Sequence, residues 1–372
     1  MKIVSYNLNG IRARLPRLIE YLDEQKPDVV CLQELKCADD VFPIEDVRAA
    51  GYDGVWHGQK GFNGVAILAP KAREARLRRM GLPGDPDDTH SRYIEAESGD
   101  LVVASIYLPN GNPVGTEKFA YKLAWLERLR EHAIALLAEE RPLVLAGDWN
   151  VIPTEHPDDV FSARAMAKDA LMQPESRAAF RTLLNLGLYD AFRVHHEEGG
   201  HYTFWDYQRG AWERNHGVRI DHFLLSPELT DKLIGCTIDT EPRGLDKPSD
   251  HTPVWCRLAP WHRRAAVPRL YPGRDGQLLL PAGAVLRLLQ HGADHVLDGT
   301  NLRGRDFIQW LYGLACHRQC AARLRDFRET GEVDPARIRR RPADDEFRLG
   351  DQRPGDADAL RLAAGELVRI AV

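Results

Sequence analysis

The amino-acid sequence predicts an α/β protein in which sheets are sandwiched between helices. From residue 1 to about residue 258, short apolar runs rich in β-branched residues alternate with longer runs that carry apolar residues at helical spacing. Several of the short runs are apolar at nearly every position, which is typical of strands buried on both faces. This alternation favours helices packed in layers on sheets.

Seven runs predict strands and two predict helices. In chain order the strand runs are KIVSY, DVVCLQ, GVAILA, LVVASIY, PLVLAGD, RIDHFLLS and TPVWCRL. The helical segments are IRARLPRLIEYLDEQ and EKFAYKLAWLERLREHAIALLAEE, and in the second Phe119, Leu123 and Leu126 recur at helical spacing. The charged run KAREARLRR, residues 71–79, predicts a surface helix or loop without a special role. The sequence contains no internal repeat.

The amino-acid composition of the sequence changes after residue 258. Residues 259–275 contain three prolines and clustered arginines, which indicate a linker. Residues 276–372 contain many arginines, no lysine, one strongly helical stretch and a run of low hydrophobicity. We therefore expect a domain over residues 1–258, a linker, and a small, mostly helical and partly flexible C-terminal appendage of unknown function. Binding of DNA or of a protein partner is our hypothesis for the appendage.

Composition and charge exclude some classes of protein. A net charge of -5 and a hydrophobic content of 44% are typical of a soluble globular protein, not of one that coats nucleic acid by bulk charge. Any contact with nucleic acid must then come from a local patch. The start, MKIVSYNLNG, resembles neither a signal peptide nor a membrane span, so we expect a cytoplasmic protein. The six scattered cysteines favour buried reduced thiols over a disulfide framework.

Polar side chains interrupt the chain at the ends of the predicted strands. They are Asn7, Asn9, Glu34, Tyr107, Asp148, Asn150, Asp250 and His251. Residues just past strand ends share one rim in layered α/β folds, so these groups are expected to converge on a single cleft. Oxygen ligands with amides and one histidine suit a hard divalent cation and a phosphoryl group. Taken alone, GDWN and SDH are ordinary turn sequences, and their joint occurrence with LQE favours the catalytic interpretation.

Two pairs in the C-terminal appendage have the spacing of helical zinc ligands. His291 and His295 lie four residues apart, as do Cys316 and Cys320. Neither pair belongs to a familiar finger arrangement. Buried helical cysteines and surface histidines are therefore the favoured interpretation over a zinc site.

Across residues 1–258 the sequence resembles the exonuclease III family of apurinic/apyrimidinic endonucleases. The motifs that carry the resemblance are SYNLNGIRAR, CLQELK, YLPNG, GDWNV, YTFWDY, RIDHFLLS and SDHTPV. GDxN and SDHxP are shared by a wider superfamily that includes pancreatic deoxyribonuclease, inositol polyphosphate phosphatases and sphingomyelinases. NGIRAR, LQELK, and YTFWDY followed by RIDHFLL are specific to the DNA-repair branch.

The resemblance implies a four-layer α/β sandwich, with two packed sheets flanked by helices. It implies Mg²⁺-dependent hydrolysis, with Mn²⁺ as an alternative metal, of the phosphodiester 5′ to abasic sites in double-stranded DNA. Activity as a 3′–5′ exonuclease and 3′-phosphodiesterase is also implied, in a protein expected to be a monomer. The alternatives are a phosphoesterase of the same superfamily acting on inositol phosphates or lipids, and a non-catalytic DNA-binding scaffold. The scaffold is disfavoured because every motif carboxylate and His251 is retained.

The resemblance also assigns catalytic roles by residue. It implies that Asp148 orients and activates the attacking water and that Asn150 holds the water. It implies that His251 hydrogen-bonds the scissile phosphate, with Asp221 fixing its tautomer, and that Tyr107 approaches the phosphate. Glu34 would be the principal metal ligand. The other members of the implied metal shell are Asn7, Asn9, Asp148, Asn150, Asp250 and His251.

A small apolar pocket for an abasic sugar is implied as well. Phe204, Trp205 and Ile220 match the residues that build this pocket, and Val218 occupies a position where some relatives have Trp. Contacts with DNA phosphates are expected from local cations despite the acidic total charge. The candidates are Arg12, Arg14, Lys36, Arg92, Arg209 and Arg219. For any one of them, a solvated face or an ion pair is an equal alternative.

Overall fold

The computed structural model describes residues 1–153 and 159–260, together with the backbone of residues 271–272 and 278–279. Residues 1–260 lie within one compact unit, Met1–Arg263. The linker beyond residue 260, the C-terminal appendage and the two candidate zinc pairs, His291 with His295 and Cys316 with Cys320, lie outside the described side chains. Those expectations stay predictions, as does the division of the chain into domains.

The described residues form strands and helices in a fixed order along the chain. The strands are β1 (Lys2–Asn7), β2 (Val29–Gln33), β3 (Tyr52–His57), β4 (Val65–Pro70), β5 (Arg76–Met80), β6 (Tyr93–Ser98), β7 (Leu101–Tyr107), β8 (Leu143–Asp148), β9 (Tyr189–Asp190), β10 (Asp221–Leu225), β11 (Leu233–Ile238), β12 (Val254–Leu258), β13 (Tyr271–Pro272) and β14 (Leu278–Leu279). The α-helices are α1 (Ile11–Gln25), α2 (Ile44–Ala49), α3 (Glu117–Leu137), α4 (Ala163–Met166), α5 (Pro174–Leu184), α6 (Ala191–His195) and α7 (Pro227–Thr230).

Two six-stranded sheets form the centre of the unit. The first has the strand order β11-β12-β1-β2-β4-β3 and the second β5-β6-β7-β8-β10-β9. Each sheet contains one parallel pair, β1 with β2 and β7 with β8, and the other described neighbours are antiparallel. Among the described residues, β13 and β14 pair with each other.

The two sheets pack face to face and carry helices on their outer faces. The core between the sheets includes fully buried residues of both, such as Ile3 and Ile67 from the first and Val103 and Ala146 from the second. A second core joins α3 and α5 to the second sheet, and a third joins α1 to the first. Period-two strands and period-3.6 helices bury their apolar sides in this way. The four-layer sandwich is confirmed for the described residues.

Strands lie at all seven predicted positions, and both predicted helices are present. The prediction for the charged run at residues 71–79 was wrong in part, because Arg76–Met80 forms β5 at an edge of the second sheet. Ion pairs with the neighbouring strand stabilise this charged segment, and they link Arg76 to Glu97 and Arg78 to Glu95. Edge strands often carry charged side chains, because the charges resist pairing with other chains. The charged run was therefore compatible with a strand, which the prediction did not consider.

The cysteine prediction is confirmed where it is testable. Cys31, Cys37, Cys236 and Cys256 are buried free thiols. Burial raises the pKa of the Cys256 thiol to about 12, which keeps that thiol protonated. Within the described part of the chain, no helix is long and apolar enough to cross a membrane.

Strand register brings the polar residues to one edge of the sandwich. In the second sheet Tyr107 pairs with Asp148, and Asp148 pairs with Asp221 on its other side. In the first sheet the last pair of the parallel strands is Asn7 with Gln33, directly before Glu34. Since carboxyl ends of parallel strands meet at one edge, both sheets present polar groups to the same cleft.

Candidate active site

Asn7 joins the two sheets at this edge. Its buried side-chain amide donates to Glu34 Oε1 at 3.0 Å and to Asp148 Oδ2 at 2.9 Å. One amide thereby holds a carboxylate of the first sheet beside a carboxylate of the second. Asn7 Oδ1 accepts from the backbone N–H of Asn9 at 3.0 Å, which fixes the orientation of the amide.

Glu34, Asp148 and His251 lie close together, and the two carboxylates of this group are donors suited to a metal site. One ligand atom from each lies within 4.8 Å of the others. Burial opposes ionisation of Glu34, but hydrogen bonds from Lys36 and Asn7 lower the pKa of its carboxyl overall. Lys36 Nζ lies 2.8 Å from Glu34 Oε2. The two carboxylates suit a hard divalent cation that prefers oxygen ligands, so they fit the metal that the resemblance implied.

His251 is held by a buried carboxylate. Its Nδ1 lies 2.9 Å from Asp221 Oδ2, and its Nε2 lies 3.6 Å from Asp148 Oδ2, too far for a hydrogen bond. Burial alone would lower the pKa of His251, but the carboxylates of Asp221 and Asp148 raise it to about 10. The imidazole is therefore a cation with Nε2–H directed into the cleft.

Asp148 has a pKa raised to about 7. Burial is the main cause; Asp221 and Glu34 add to the rise, and the cationic His251 opposes it. Its Oδ1 accepts from the backbone N–H of Asn150 at 2.9 Å. A carboxylate with a pKa near neutrality is suited to accept a proton from water.

Several residues of the cleft adopt left-handed backbone conformations. Asn9 has φ 49°, Glu34 φ 51° and Asn150 φ 46°. This region is sparsely populated by residues other than glycine, and such conformations cluster at functional sites. Each of the three follows the carboxyl end of a strand, where the chain must turn sharply to direct its side chain into the cleft.

The Asn150 turn is held by residues that the sequence did not single out. Lys122 of α3 is fully buried and donates to the backbone carbonyls of Asn150 at 2.5 Å and Asn110 at 3.0 Å. Asn110 in turn donates to Asn150 Oδ1 at 3.1 Å. Burial lowers the pKa of Lys122 to about 7. A lysine within the apolar stripe of FAYKLAW was the signal available in the sequence.

Asn9 and Asp250 lie at the rim of the metal-type group. Asn9 Nδ2 donates to Asp250 Oδ1 at 3.0 Å, and Lys36 donates to Asn9 Oδ1. Ser249, which was also missed, donates to the backbone carbonyl of Asn7 at 2.7 Å and accepts from the backbone N–H of His251. Ser249 therefore ties the SDH turn to the end of β1.

Tyr107 lies between a cation and the carboxylates. The Arg92 guanidinium stacks 4.8 Å from its ring centre. Burial, reinforced by Glu34 and Asp148, raises the pKa of Tyr107 well above its ordinary value, so it stays a neutral donor. Arg92 is thereby held beside the metal-type group.

The predicted pocket residues fall into two groups. Phe204 lies edge-on to His251, with ring centres 4.9 Å apart, and its backbone N–H donates to the Val218 carbonyl at 3.0 Å. Val218 and Ile220 join Phe204 in one apolar cluster beside the cleft. Trp205 points to the other side of its segment and packs with Tyr202 and Ala211. The structure thus brings Phe204, Val218 and Ile220 together but not Trp205, because successive side chains alternate along extended backbone.

The candidate phosphate-binding cations also fall into two groups, one exposed or at the rim of the cleft and the other buried. Arg12 and Arg209 are exposed, and Arg14 donates to the carbonyl of Asn9 at the rim of the cleft. The expectation for Arg219 was wrong, because its side chain is fully buried. It pairs with Asp159 at 3.1 Å and Asp190 at 2.9 Å. Position beside a motif did not reveal on which side of the strand the arginine lies.

Comparison with known proteins gives consistent similarities. The family model described as "Endonuclease/Exonuclease/phosphatase family" matches residues 4–251. The chain is 34% identical over 268 residues to exodeoxyribonuclease III of Haemophilus influenzae, covering 69% of this chain and 100% of that one. It is 33% identical over 265 residues to the DNA repair nuclease APEX1 of Danio rerio, covering 70% of this chain and 82% of that one.

Two solved structures are similar over the same region. A 3′ phosphatase of Neisseria bound to a product DNA hairpin has a TM-score of 0.67 and 36% identity, covering 70% of this chain and 100% of that chain. An AP endonuclease of Archaeoglobus fulgidus has a TM-score of 0.66 and 37% identity, with the same coverage. The similarity spans the two sheets and the cleft between them.

Proposed function

The chain belongs to the endonuclease/exonuclease/phosphatase family and is a DNA-repair nuclease, and from this premise we propose its substrate and mechanism. It hydrolyses the phosphodiester 5′ to abasic sites in double-stranded DNA with Mg²⁺, and it trims blocked 3′ ends. The metal-type group of Glu34, Asp148 and His251 beside the apolar cluster of Phe204 is the observation that carries the proposal.

Bound Mg²⁺ would be held by Glu34 and Asp148, with Asn7 beside them, and would neutralise charge that develops on the phosphodiester. Mn²⁺ is an alternative metal. The donor set supports this choice, since Mg²⁺ is commonly bound by one or two carboxylates together with substrate phosphate.

The protein residues divide the hydrolysis between them. Asp148 accepts a proton from the attacking water, which its raised pKa permits, and the Asn150 side chain holds that water. His251 donates its Nε2–H to a non-bridging phosphate oxygen while Asp221 holds the ring through Nδ1. Tyr107 donates its hydroxyl toward the same phosphate.

Selectivity for abasic sites comes from the apolar cluster next to His251. Phe204 is partly buried and packs on the buried Val218 and Ile220, and the apolar wall they form accepts an extruded deoxyribose and excludes a nucleotide with a base. Val218 is smaller than the Trp of some relatives, so the pocket wall is shorter at this position. Arg12, Lys36 and Arg92 then bind the flanking phosphates.

The remaining parts of the proposal concern the whole chain. The nuclease domain spans residues 1–258, and residues 276–372 form an appendage, joined by a linker, that binds DNA or a protein partner. The protein works as a monomer in the cytoplasm on nucleoid DNA. Support for the domain division is the compact unit that ends at Arg263 and the composition change after residue 258.

The decisive test is incision of a duplex oligonucleotide that carries one tetrahydrofuran abasic mimic, assayed with Mg²⁺ or with EDTA. We expect Mg²⁺-dependent incision 5′ to the mimic and none of the intact duplex. Glu34→Gln should abolish incision, whereas the exposed Glu45→Gln should not. Cleavage that persists in EDTA would refute the proposed metal dependence. No incision by folded protein would direct the search to other phosphodiesters, such as inositol phosphates.

A further inference from the structure

The loop after α6 carries a second group of metal-type ligands outside the active site. One ligand atom from each of His196, Glu198 and His201 lies within 4.8 Å of the others. None of the three belongs to the cleft described above. We propose that this group is a binding site for a zinc-class divalent cation, and we name it the loop site.

The two distances from Glu198 to the imidazoles of the loop site fit tetrahedral coordination. His196 Nδ1 lies 3.5 Å from Glu198 Oε1, which lies 3.3 Å from His201 Nε2. Zinc binds imidazole nitrogen and carboxylate oxygen at about 2.0–2.2 Å, so neighbouring ligand atoms of a tetrahedron lie about 3.3–3.6 Å apart. Both measured distances fall in that range.

The His196 ring is already oriented as a ligand. Its Nε2 lies 2.9 Å from the backbone carbonyl oxygen of Cys236, which can only accept, so Nε2 carries a proton and Nδ1 of the neutral ring presents a lone pair. The ring also stacks on Phe192, with ring centres 4.3 Å apart. A backbone carbonyl bonded to the far nitrogen is the usual outer-shell support of a metal-bound histidine.

The loop site differs chemically from the catalytic group. Two imidazoles with one carboxylate favour zinc over magnesium, which prefers oxygen ligands. The side chains of His196 and His201 are 30% and 38% exposed, so an ion can reach them from solvent, and a water can occupy the fourth position.

Occupation of the loop site would stiffen the approach to the pocket. His196 is tied to β11 of the first sheet through Cys236, and His201 directly precedes the segment that bears Phe204. In that segment, the backbone N–H of Trp205 donates to the carbonyl of Asp250, the residue before His251. An ion that joins His196 to His201 would therefore stabilise the loop that leads into the pocket wall.

The test uses zinc alone with the full-length, metal-stripped protein. Bound zinc is counted by equilibrium dialysis for the wild type and for His201→Ala and Glu198→Gln. The matched controls are His195→Ala and Glu197→Gln, which change exposed neighbours outside the group. Because the active site and the appendage are unchanged in all five proteins, zinc bound there cancels in the comparison.

We expect the wild type and both controls to bind one more equivalent of zinc than His201→Ala and Glu198→Gln. Zinc should also raise the Tm of the wild type and controls by more than that of the two loop-site variants. Equal zinc stoichiometry in all five proteins would overturn the proposal. If His201→Ala does not fold, Glu198→Gln decides. The result is independent of the proposed nuclease function, because no cleavage is measured.

Discussion

Asp148 follows Asn7 by 141 positions in the sequence, and His251 follows it by 244. Even so, the Asn7 amide holds Asp148, and the buried carboxylate of Asp221 holds His251. Their proximity sets their protonation. His251 is cationic because two carboxylates face it, and Asp148 is a weak acid because it is buried among other carboxylates. At the residue scale, function therefore depends on electrostatics that burial strengthens.

Replacement of either group should remove most cleavage while DNA binding persists. We expect Asp148→Asn and His251→Asn each to lower kcat by a factor of about 10²–10⁴, the usual contribution of a general acid or base. Both residues act on the transition state, so the Kd for uncleaved duplex should change far less. Single-turnover cleavage and fluorescence anisotropy separate the two effects. Unchanged cleavage in both variants would exclude this site.

Cleavage should also depend on pH through Asp148. Its raised pKa means that the carboxylate form is lost as the pH falls through about 7, so kcat/KM should decline on the acid side. The His251 cation lowers the pKa of Asp148, so the residual activity of His251→Asn should show an acid limb at higher pH. More Mg²⁺ should move the limb to lower pH, because the cation favours the carboxylate. Identical acid limbs in the wild type and in His251→Asn would contradict this coupling between His251 and Asp148.

Two arginines next to sequence motifs should behave in opposite ways. Arg219→Met leaves Asp159 and Asp190 buried without their shared cation, and we expect it to lower the free energy of unfolding by about 3–5 kcal/mol. Exposed Arg12→Ala should leave stability unchanged, weaken DNA binding and reduce the slope of log K against log salt by about 1. Urea unfolding and salt-dependent anisotropy measure these outcomes. A stable Arg219→Met with weakened DNA binding would reverse our assignment.

At the element scale, α3 supports the second sheet and also reaches the active site. Its apolar face packs on that sheet through residues such as Trp125 and Leu129. Lys122, on the same side, donates to the backbone carbonyls of Asn110 and Asn150 in the loops of the active site. Buried carbonyls require partners, so this lysine couples the packing of a helix to the geometry of a catalytic turn.

Lys122→Met should reduce catalysis without removing any group that touches the substrate. The two carbonyls lose their donor, at a cost of about 1–3 kcal/mol each, and the left-handed turn at Asn150 loosens. We expect kcat to fall by about 10–100-fold with little change in KM, since misplacement near the chemistry affects the transition state most. The exposed Lys118→Met on the same helix is the matched control. A fall in stability with normal kcat would indicate a purely structural role for Lys122.

At the scale of the whole molecule, the two ends of the nuclease unit meet in one sheet. The amino group of Met1 donates to the Leu258 carbonyl at 2.7 Å, and the Leu258 N–H donates back to the Met1 carbonyl at 2.8 Å. Strand β12 closes the first sheet between β1 and β11. The described core residues of the sandwich therefore all precede the appendage in the sequence.

A chain shortened to residues 1–263 should fold and cut DNA. The described core residues run from Ile3 to Leu258 and all lie within the shortened chain, so we expect a Tm close to that of the full chain. Its rate on the abasic duplex should match that of the full chain if the appendage only binds partners. Circular dichroism melting and the incision assay test this. An insoluble shortened chain would show that residues 264–372 contribute to folding.

The sequence by itself determined the layered fold, the main strands and the two long helices, because hydrophobic period is a local property of the chain. It also identified Asn7, Glu34, Asp148 and His251, since their motifs follow strand ends that meet at one edge. Those assignments needed only the order of residues.

Tertiary structure alone decided which side chains face which partners. It turned Trp205 away from Phe204, buried Arg219 among carboxylates and directed Lys122 beneath Asn150. It also set the protonation of Asp148 and His251. The physical reason is that burial and charge pairing depend on atoms that are distant in sequence and adjacent in space, which no local pattern encodes.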